Sequence, residues 1–259
     1  MAGSEADWSG RVAVITGAAS GIGRATAQRV LAAGGRVVAV DLEEKGLAWV
    51  ESSPNARRVV GDVTLEETNA AAIAAAEPLG GVNALVLNAG LPASGNLDTV
   101  DLATFDRVVA VNLRALVVGL KAALPALRRA ADQAVVVTAS VSGLGGDPGL
   151  WAYNAAKGGA VNFVRSAAVE LGMQGIRVNA VCPGPIHTGM TRDIQQREPV
   201  HDELRRHVPL GRWGEAEEVA AVIAFLASPA ASFVNGAIVP VDGGVTANSG
   251  QFTPWGAGL

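Results

Sequence analysis

Arg11-Val-Ala-Val-Ile-Thr-Gly-Ala-Ala-Ser-Gly-Ile-Gly-Arg-Ala-Thr-Ala-Gln-Arg-Val-Leu-Ala-Ala-Gly-Gly-Arg-Val-Val-Ala-Val-Asp41 is the stretch from which the architecture is read. Residues 12–15 are apolar and largely β-branched with no polar alternation, the pattern of a strand buried on both faces. They run into Gly17-Ala-Ala-Ser-Gly-Ile-Gly23, after which residues 24–33 read as a helix closed by Gly34-Gly35. Residues 36–40 form a second buried strand ending on Asp41. Glycines at a strand-to-helix turn let the backbone approach a pyrophosphate, whose charge then sits at a helix N-terminus. Asp41, eighteen residues beyond Gly23, is placed to accept hydrogen bonds from both hydroxyls of an adenosine ribose and to repel a 2′-phosphate.

Outward from this unit the alternation continues. Strands are expected at 57–61, leading to Asp62-Val63, and at 83–87, leading to Asn88-Ala-Gly90. Others are expected at 134–138, just before Ser140, at 176–181, running into Cys182-Pro-Gly184, and at 237–241. Helices are expected at 43–50, short and weak, and at 65–76, with Thr64 and Glu67 as a capping box. Residues 104–129 read as one long helix or two abutting ones bent near Pro125, followed by helices at 151–173 and 215–227. No apolar run of membrane-spanning length is read. The whole is one domain over residues 1–259: a Rossmann-type, doubly wound α/β fold whose seven-stranded, mostly parallel sheet is flanked by helices. Residues 1–10 and 245–259 are expected to be tails and 186–212 a mobile excursion. Ligands of such sheets bind beyond the carboxyl ends of the strands, where strand order reverses. Gly17, Asp41, Asp62, Asn88, Ser140 and Pro183 should therefore meet along one rim.

The segment from Ser140 to Lys157 carries the chemistry. Tyr153 is the only tyrosine, and Lys157 follows one helical turn later on the same face. A cation beside a phenol favours phenolate and lowers a pKa that starts near ~10, which makes the residue usable as a general acid/base.

Bulk properties narrow the remaining choices. Net charge is −4 with no long basic run, which argues against nucleic acid as a partner. The single cysteine, Cys182, fits a reducing compartment. The N-terminal residues carry acids where a signal peptide needs basic ones, so a cytoplasmic location is expected. His187, His201 and His207 lie in the 186–212 excursion without a ligand-spaced carboxylate helix; they read as solvated loop residues, and no metal is expected.

Taken together, Thr16-Gly-Ala-Ala-Ser-Gly-Ile-Gly23, Asp62-Val63, Asn88-Ala-Gly90, Asn112, Ser140, Tyr153-Asn-Ala-Ala-Lys157, Pro183-Gly184 with Ile186 and Thr188, and Val241-Asp-Gly-Gly244 resemble the short-chain dehydrogenase/reductase superfamily in its compact single-domain form. The match runs from residue 11 to 244. The resemblance implies hydride transfer between a nicotinamide cofactor and an alcohol or ketone. It places proton exchange on Tyr153, support of that residue and of the nicotinamide ribose on Lys157, oxygen positioning on Ser140, and a water relay on Asn112. It also places Gly17, Ser20, Gly21, Ile22, Gly23, Asp41, Leu42, Asp62, Val63, Asn88, Ala89, Gly90, Tyr153, Lys157, Pro183, Gly184, Ile186 and Thr188 at the cofactor. An Asn in an apolar helix such as Asn112 also reads as a packing or kink residue.

Ser20 is neutral and Asp41 is followed by Leu42-Glu-Glu44, so a 2′-phosphate would meet three carboxylates and NAD is expected over NADP. A 3-oxoacyl-thioester reductase is the leading alternative reaction, and a non-catalytic dinucleotide-binding regulator the other class. The substrate pocket is expected from 141–151, 185–190 and the excursion, with Leu144, Trp151, Met190 and Trp213 as an apolar wall. No Arg or Lys is set by motif beside Ser140, which favours a neutral secondary alcohol or ketone. The resemblance implies a homotetramer. The apolar stretch 110–127, and the tail 249–259 with Phe252 and Trp255, are the candidate contact surfaces.

Overall fold

The computed structural model describes residues 7–249. Its strands are β1 (Val12–Thr16), β2 (Arg36–Asp41), β3 (Ala56–Val60), β4 (Ala84–Leu87), β5 (Ala134–Thr138), β6 (Arg177–Pro183), the two-residue β7 (Ile186–His187) and β8 (Gly214–Glu215), and β9 (Ile238–Val241). Seven of them form one sheet in the order β3-β2-β1-β4-β5-β6-β9, and every neighbouring pair is parallel. The helices are α1 (Gly21–Ala32), α2 (Glu66–Ala76), α3 (Leu102–Val109), α4 (Ala115–Leu127), α5 (Trp151–Gly172), α6 (Arg192–Gln195), α7 (Glu198–Arg206) and α8 (Ala216–Ala227).

Strand side chains alternate between two cores, as the two-residue repeat requires. Val12, Val14, Val38, Val40, Leu85 and Leu87 join α2, α4 and α5 on one face. Ala13, Ile15, Val37, Ala39, Ala84 and Val86 join α1 and α8 on the other. Burial on both faces is why these strands read as continuous apolar runs.

Four local expectations are corrected and one, at residues 104–129, is refined. Trp8, assigned to a tail, is 1 % exposed; its backbone N–H donates to Ala33 O at 3.2 Å, and Arg11 lies over its ring. The weak helix at 43–50 is a 3-10 helix at Lys45–Ser52. Helix α2 begins at Glu66 without a side-chain cap, because the Thr64 hydroxyl donates instead to Asp62. Residues 104–129 resolve into α3, a π-helical turn at Ala110–Arg114, and α4. Finally, the helical run Leu102–Leu127, which contains an 18-residue window of mean hydropathy 1.6, is long and apolar enough by composition to cross a membrane. Its apolarity is accounted for by packing: α4 lies on β4 and α2, leaving Val117, Lys121 and Pro125 as its outer stripe.

The 186–212 excursion is ordered rather than open loop. Its base is stitched by β7 pairing with β8, and α6 and α7 occupy its middle. Trp213, buried behind it, stacks with His187 at 5.3 Å and with His201 at 4.8 Å between ring centroids. Those two histidines are therefore packed, contrary to the solvated reading; His207 is exposed.

Candidate active site

The sheet order reverses between β1 and β4, and the strand ends there are tied by polar side chains. The Thr16 hydroxyl accepts from the N–H groups of Asn88 at 2.9 Å and Ala89 at 3.0 Å. Asn88 Nδ2 donates to Thr16 O at 3.0 Å, and its Oδ1 accepts from the Thr138 hydroxyl at 3.1 Å. The ends of β1, β4 and β5 are thereby held together. Gly17 has φ +69°, and a Cβ there would come within 2.8 Å of Asn88 Nδ2. A Cβ at Gly23 would overlap the Gly17 carbonyl. Only glycine satisfies both positions.

The first turn of α1 opens onto a cavity of about 290 Å³. Gly17, Ser20, Gly21, Ile22 and Asp41 line one end; Asn88, Ala89, Gly90, Pro183, Gly184, Ile186 and Thr188 line its walls. Ser140, Tyr153 and Lys157 line the other end. Asp41 accepts from Ala19 N–H at 2.9 Å and Glu43 N–H at 3.0 Å, which ties the end of β2 to the glycine loop. Leu42, Asp62 and Val63 lie on an adjoining cavity of about 200 Å³ that shares Gly17, Asp41, Ala89 and Gly90 with the first. The Asp62 carboxyl is held below its ordinary range by the N–H and hydroxyl of Thr64, with a smaller attraction from Arg107. An anion-ready helix N-terminus, close backbone approach and a carboxylate at the end of β2 fit a dinucleotide.

Gly23 packs behind this surface rather than on it, and so does Asn112. Asn112 is 1 % exposed within the π-helical turn. Its Nδ2 donates to Leu91 O at 2.9 Å and Val108 O at 3.1 Å, while its Oδ1 accepts from Leu91 N–H at 3.3 Å. Its side chain thus serves the kink and pins residues 90–91, and Gly90 would have no room for a Cβ against Asn112 Oδ1.

Lys157 is buried and donates to Thr138 O at 2.8 Å; its Nζ lies 5.6 Å from the Tyr153 ring centroid. Burial lowers the ammonium pKa to about 8. Burial also raises the Tyr153 phenol, against a hydrogen bond from Ser140 that lowers it, and Asp147 raises it further. The expected depression of the phenol by Lys157 is therefore not what this protein chain alone produces: desolvation of the phenolate prevails.

Several residues at the site were not singled out as site residues from sequence. Thr16 and Thr138 do carry a signal, being the polar last residues of otherwise apolar strands. Arg107, on the second cavity, carries none, since an arginine on a helix face is ordinary. Of the expected apolar wall, Met190 lines the main cavity, Leu144 and Trp151 stand partly exposed outside it, and Trp213 is buried in the histidine stack. Among the described residues no cluster of three or more His, Cys, Asp or Glu could hold a metal ion.

A doubly wound sheet with a glycine-lined helix terminus at its switch point defines a dinucleotide-binding α/β protein. A family model described as enoyl-(acyl carrier protein) reductase matches residues 17–246. The meso-2,3-butanediol dehydrogenase of Serratia marcescens is 41% identical over 245 residues, covering 93% of this chain and 96% of that one. The levodione reductase of Leifsonia aquatica is 40% identical over 252 residues, covering 92% and 94%. A crystal structure of levodione reductase superposes with a TM-score of 0.87 at 38% identity, covering 93% of this chain and 99% of that one. The chain belongs to the short-chain dehydrogenase/reductase superfamily and is an oxidoreductase that uses a nicotinamide cofactor.

Proposed function

We propose that this enzyme interconverts a neutral secondary alcohol and its ketone with NAD as cofactor, and that Tyr153 transfers the proton. The observation that carries the reading is that Ser140, Tyr153 and Lys157 line the same cavity as the glycine loop and Asp41. Relatives named for butanediol and levodione chemistry support a secondary alcohol or ketone as the reacting group.

Bound nicotinamide supplies or accepts the hydride at the reacting carbon. The Tyr153 hydroxyl gives its proton to the ketone oxygen, or takes it back from the alcohol. Ser140 donates a hydrogen bond to that oxygen as charge develops on it. Lys157 sets a positive charge beside the phenol, and Thr138 O anchors its ammonium. Asn112 acts as a positioning residue through Leu91, with the water relay as its further role. Gly17, Gly21 and the α1 terminus take the pyrophosphate, Asp41 the adenosine ribose, and Asp62 and Val63 the adenine end. Asp41 with Glu43 and Glu44 beyond it disfavours a 2′-phosphate, which supports NAD over NADP.

Screening secondary alcohols with both cofactors tests the reading. NADH formation from neutral alcohols is expected; equal or better efficiency with NADP overturns the cofactor assignment. A thioester reductase has no separate structural observation in its favour.

The assembly belongs to the same proposal. Phe233, Met173 and Val169 are fully or largely exposed, which supports a homotetramer in which they are covered. The tail contacts proposed for Phe252 and Trp255 lie outside the described residues. Sedimentation as a monomer at micromolar concentration contradicts the assembly.

A further inference from the structure

We propose that Gln195 is a positioning residue for the nicotinamide half of the cofactor, its side-chain amide fixing the wall of the main cavity formed by residues 186–191. The inference rests on the reading that nicotinamide lies at the Tyr153 end of that cavity, and it names a residue outside the lining that holds the lining in place. Ile186, Thr188, Met190 and Thr191 line the cavity; Gln195 does not. Extended backbone turns alternate residues to opposite sides, so Ile186 and Thr188 face the cavity while His187 packs behind them on Trp213. Thr188 also approaches the glycine loop: a Cβ on Gly21 would come within 3.3 Å of its side chain. The wall therefore meets the α1 terminus, in the cavity that Tyr153 and Lys157 also line.

Beyond the wall the chain makes a 3-10 turn at Gly189–Thr191 and then the single turn of α6, which ends on Gln195. One helical turn is too short to stand without outside contacts. The Gln195 amide supplies them: its Nε2 donates to Thr191 Oγ1 at 2.8 Å and to Thr188 O at 3.2 Å. Thr191 Oγ1 also accepts from Thr188 N–H at 3.2 Å and gives its own proton to Ile186 O at 2.7 Å. One amide thus orients a hydroxyl that joins both cavity-facing residues of the strand end. The direction of the network is forced, because the carbonyls of Ile186 and Thr188 only accept and the group at position 195 must donate. A carboxylate of the same size would face Thr188 O acceptor to acceptor, and would draw the Thr191 proton away from Ile186 O.

Two ligands that share only their adenosine end test the proposal: NADH, followed by its fluorescence, and AMP, followed by its displacement of bound NADH. AMP reaches the Asp41 and Asp62 end alone, so a general loss of folding weakens both ligands and a misplaced wall weakens only NADH. Gln195→Glu is expected to raise the NADH Kd about tenfold, the scale of one lost hydrogen bond with an acceptor left facing another. Gln195→Met, which removes the donor without adding charge, is expected to raise it at least about threefold. Both variants should bind AMP within about twofold of wild type, too small a change for a lost hydrogen bond. NADH affinity unchanged in both variants, or AMP weakened as much as NADH, overturns the inference and leaves the Tyr153 reading standing. No turnover of any secondary alcohol or ketone by the wild-type enzyme, with either cofactor, overturns that reading and the inference with it.

Discussion

The Lys157 ammonium lies 5.6 Å from the Tyr153 ring centroid and gives a hydrogen bond to the Thr138 carbonyl at 2.8 Å. The cation is thus held by the end of β5 beside the phenol ring. Both groups are shifted by burial toward their neutral forms, the lysine down to about 8 and the tyrosine upward. Burial thus opposes the charged form of each group, in tension with the charges that the proposed proton transfer needs.

That tension has a stability consequence. The folded pKa of Lys157 lies below its ordinary 10.5, so the folded chain releases the proton first. The destabilisation is fully present below about pH 8 and is relieved as pH rises from there toward 10.5. Lys157→Met should abolish turnover yet raise stability at neutral pH by about 2 kcal/mol, the relieved charge burial less the lost hydrogen bond to Thr138. Denaturant melts of both proteins at neutral and alkaline pH check this; a less stable variant at pH 7 contradicts it.

The direction of the Tyr153 shift sets a second expectation. A phenol raised above its usual value is protonated at neutral pH and ready to donate in ketone reduction. Alcohol oxidation needs the phenolate, so its kcat/KM should climb from about pH 6 to about pH 9 while reduction stays flat over the lower part of that range. Rate profiles in both directions give the answer; an oxidation rate independent of pH across this range argues against Tyr153 as the base.

How far the site could be read beforehand depended on periodicity. Val12–Thr16 and Arg36–Asp41 were legible because strands buried on both faces read as apolar runs, and the glycines between them as a turn no other residue fills. Trp8 was not legible, since one aromatic among polar residues has no period, and the α2 cap misled because Asp62 competes for the Thr64 hydroxyl. Asn112 could be read only as two alternatives. Its structural half, the kink, is visible in the π-helical turn, where its Nδ2 donates to Val108 O. The ordered excursion was hidden for a physical reason: β7 and β8 are two residues each and pair across 26 intervening residues, beyond any local pattern.

Cofactor choice is tested at Asp41. Its carboxylate is held by Ala19 and Glu43 N–H groups and lines the cavity, where the proposal seats the adenosine ribose. Asp41→Ser should lower the NAD-to-NADP efficiency ratio by at least about tenfold, because a repulsive charge and two ribose acceptors leave together. Steady-state kinetics with both cofactors measure it, and an unchanged ratio contradicts the assignment.

The central claim is that Tyr153 moves the proton while the rest of the cavity holds the cofactor. The direct test is Tyr153→Phe, with NADH binding followed by fluorescence and single-turnover reduction of a neutral ketone followed by NADH absorbance. The variant should bind NADH within a few-fold of wild type and reduce the ketone at least about a thousandfold more slowly, the loss expected when a general acid is removed. Reduction at the wild-type rate would contradict the account, since the chain has no second tyrosine to take over the role.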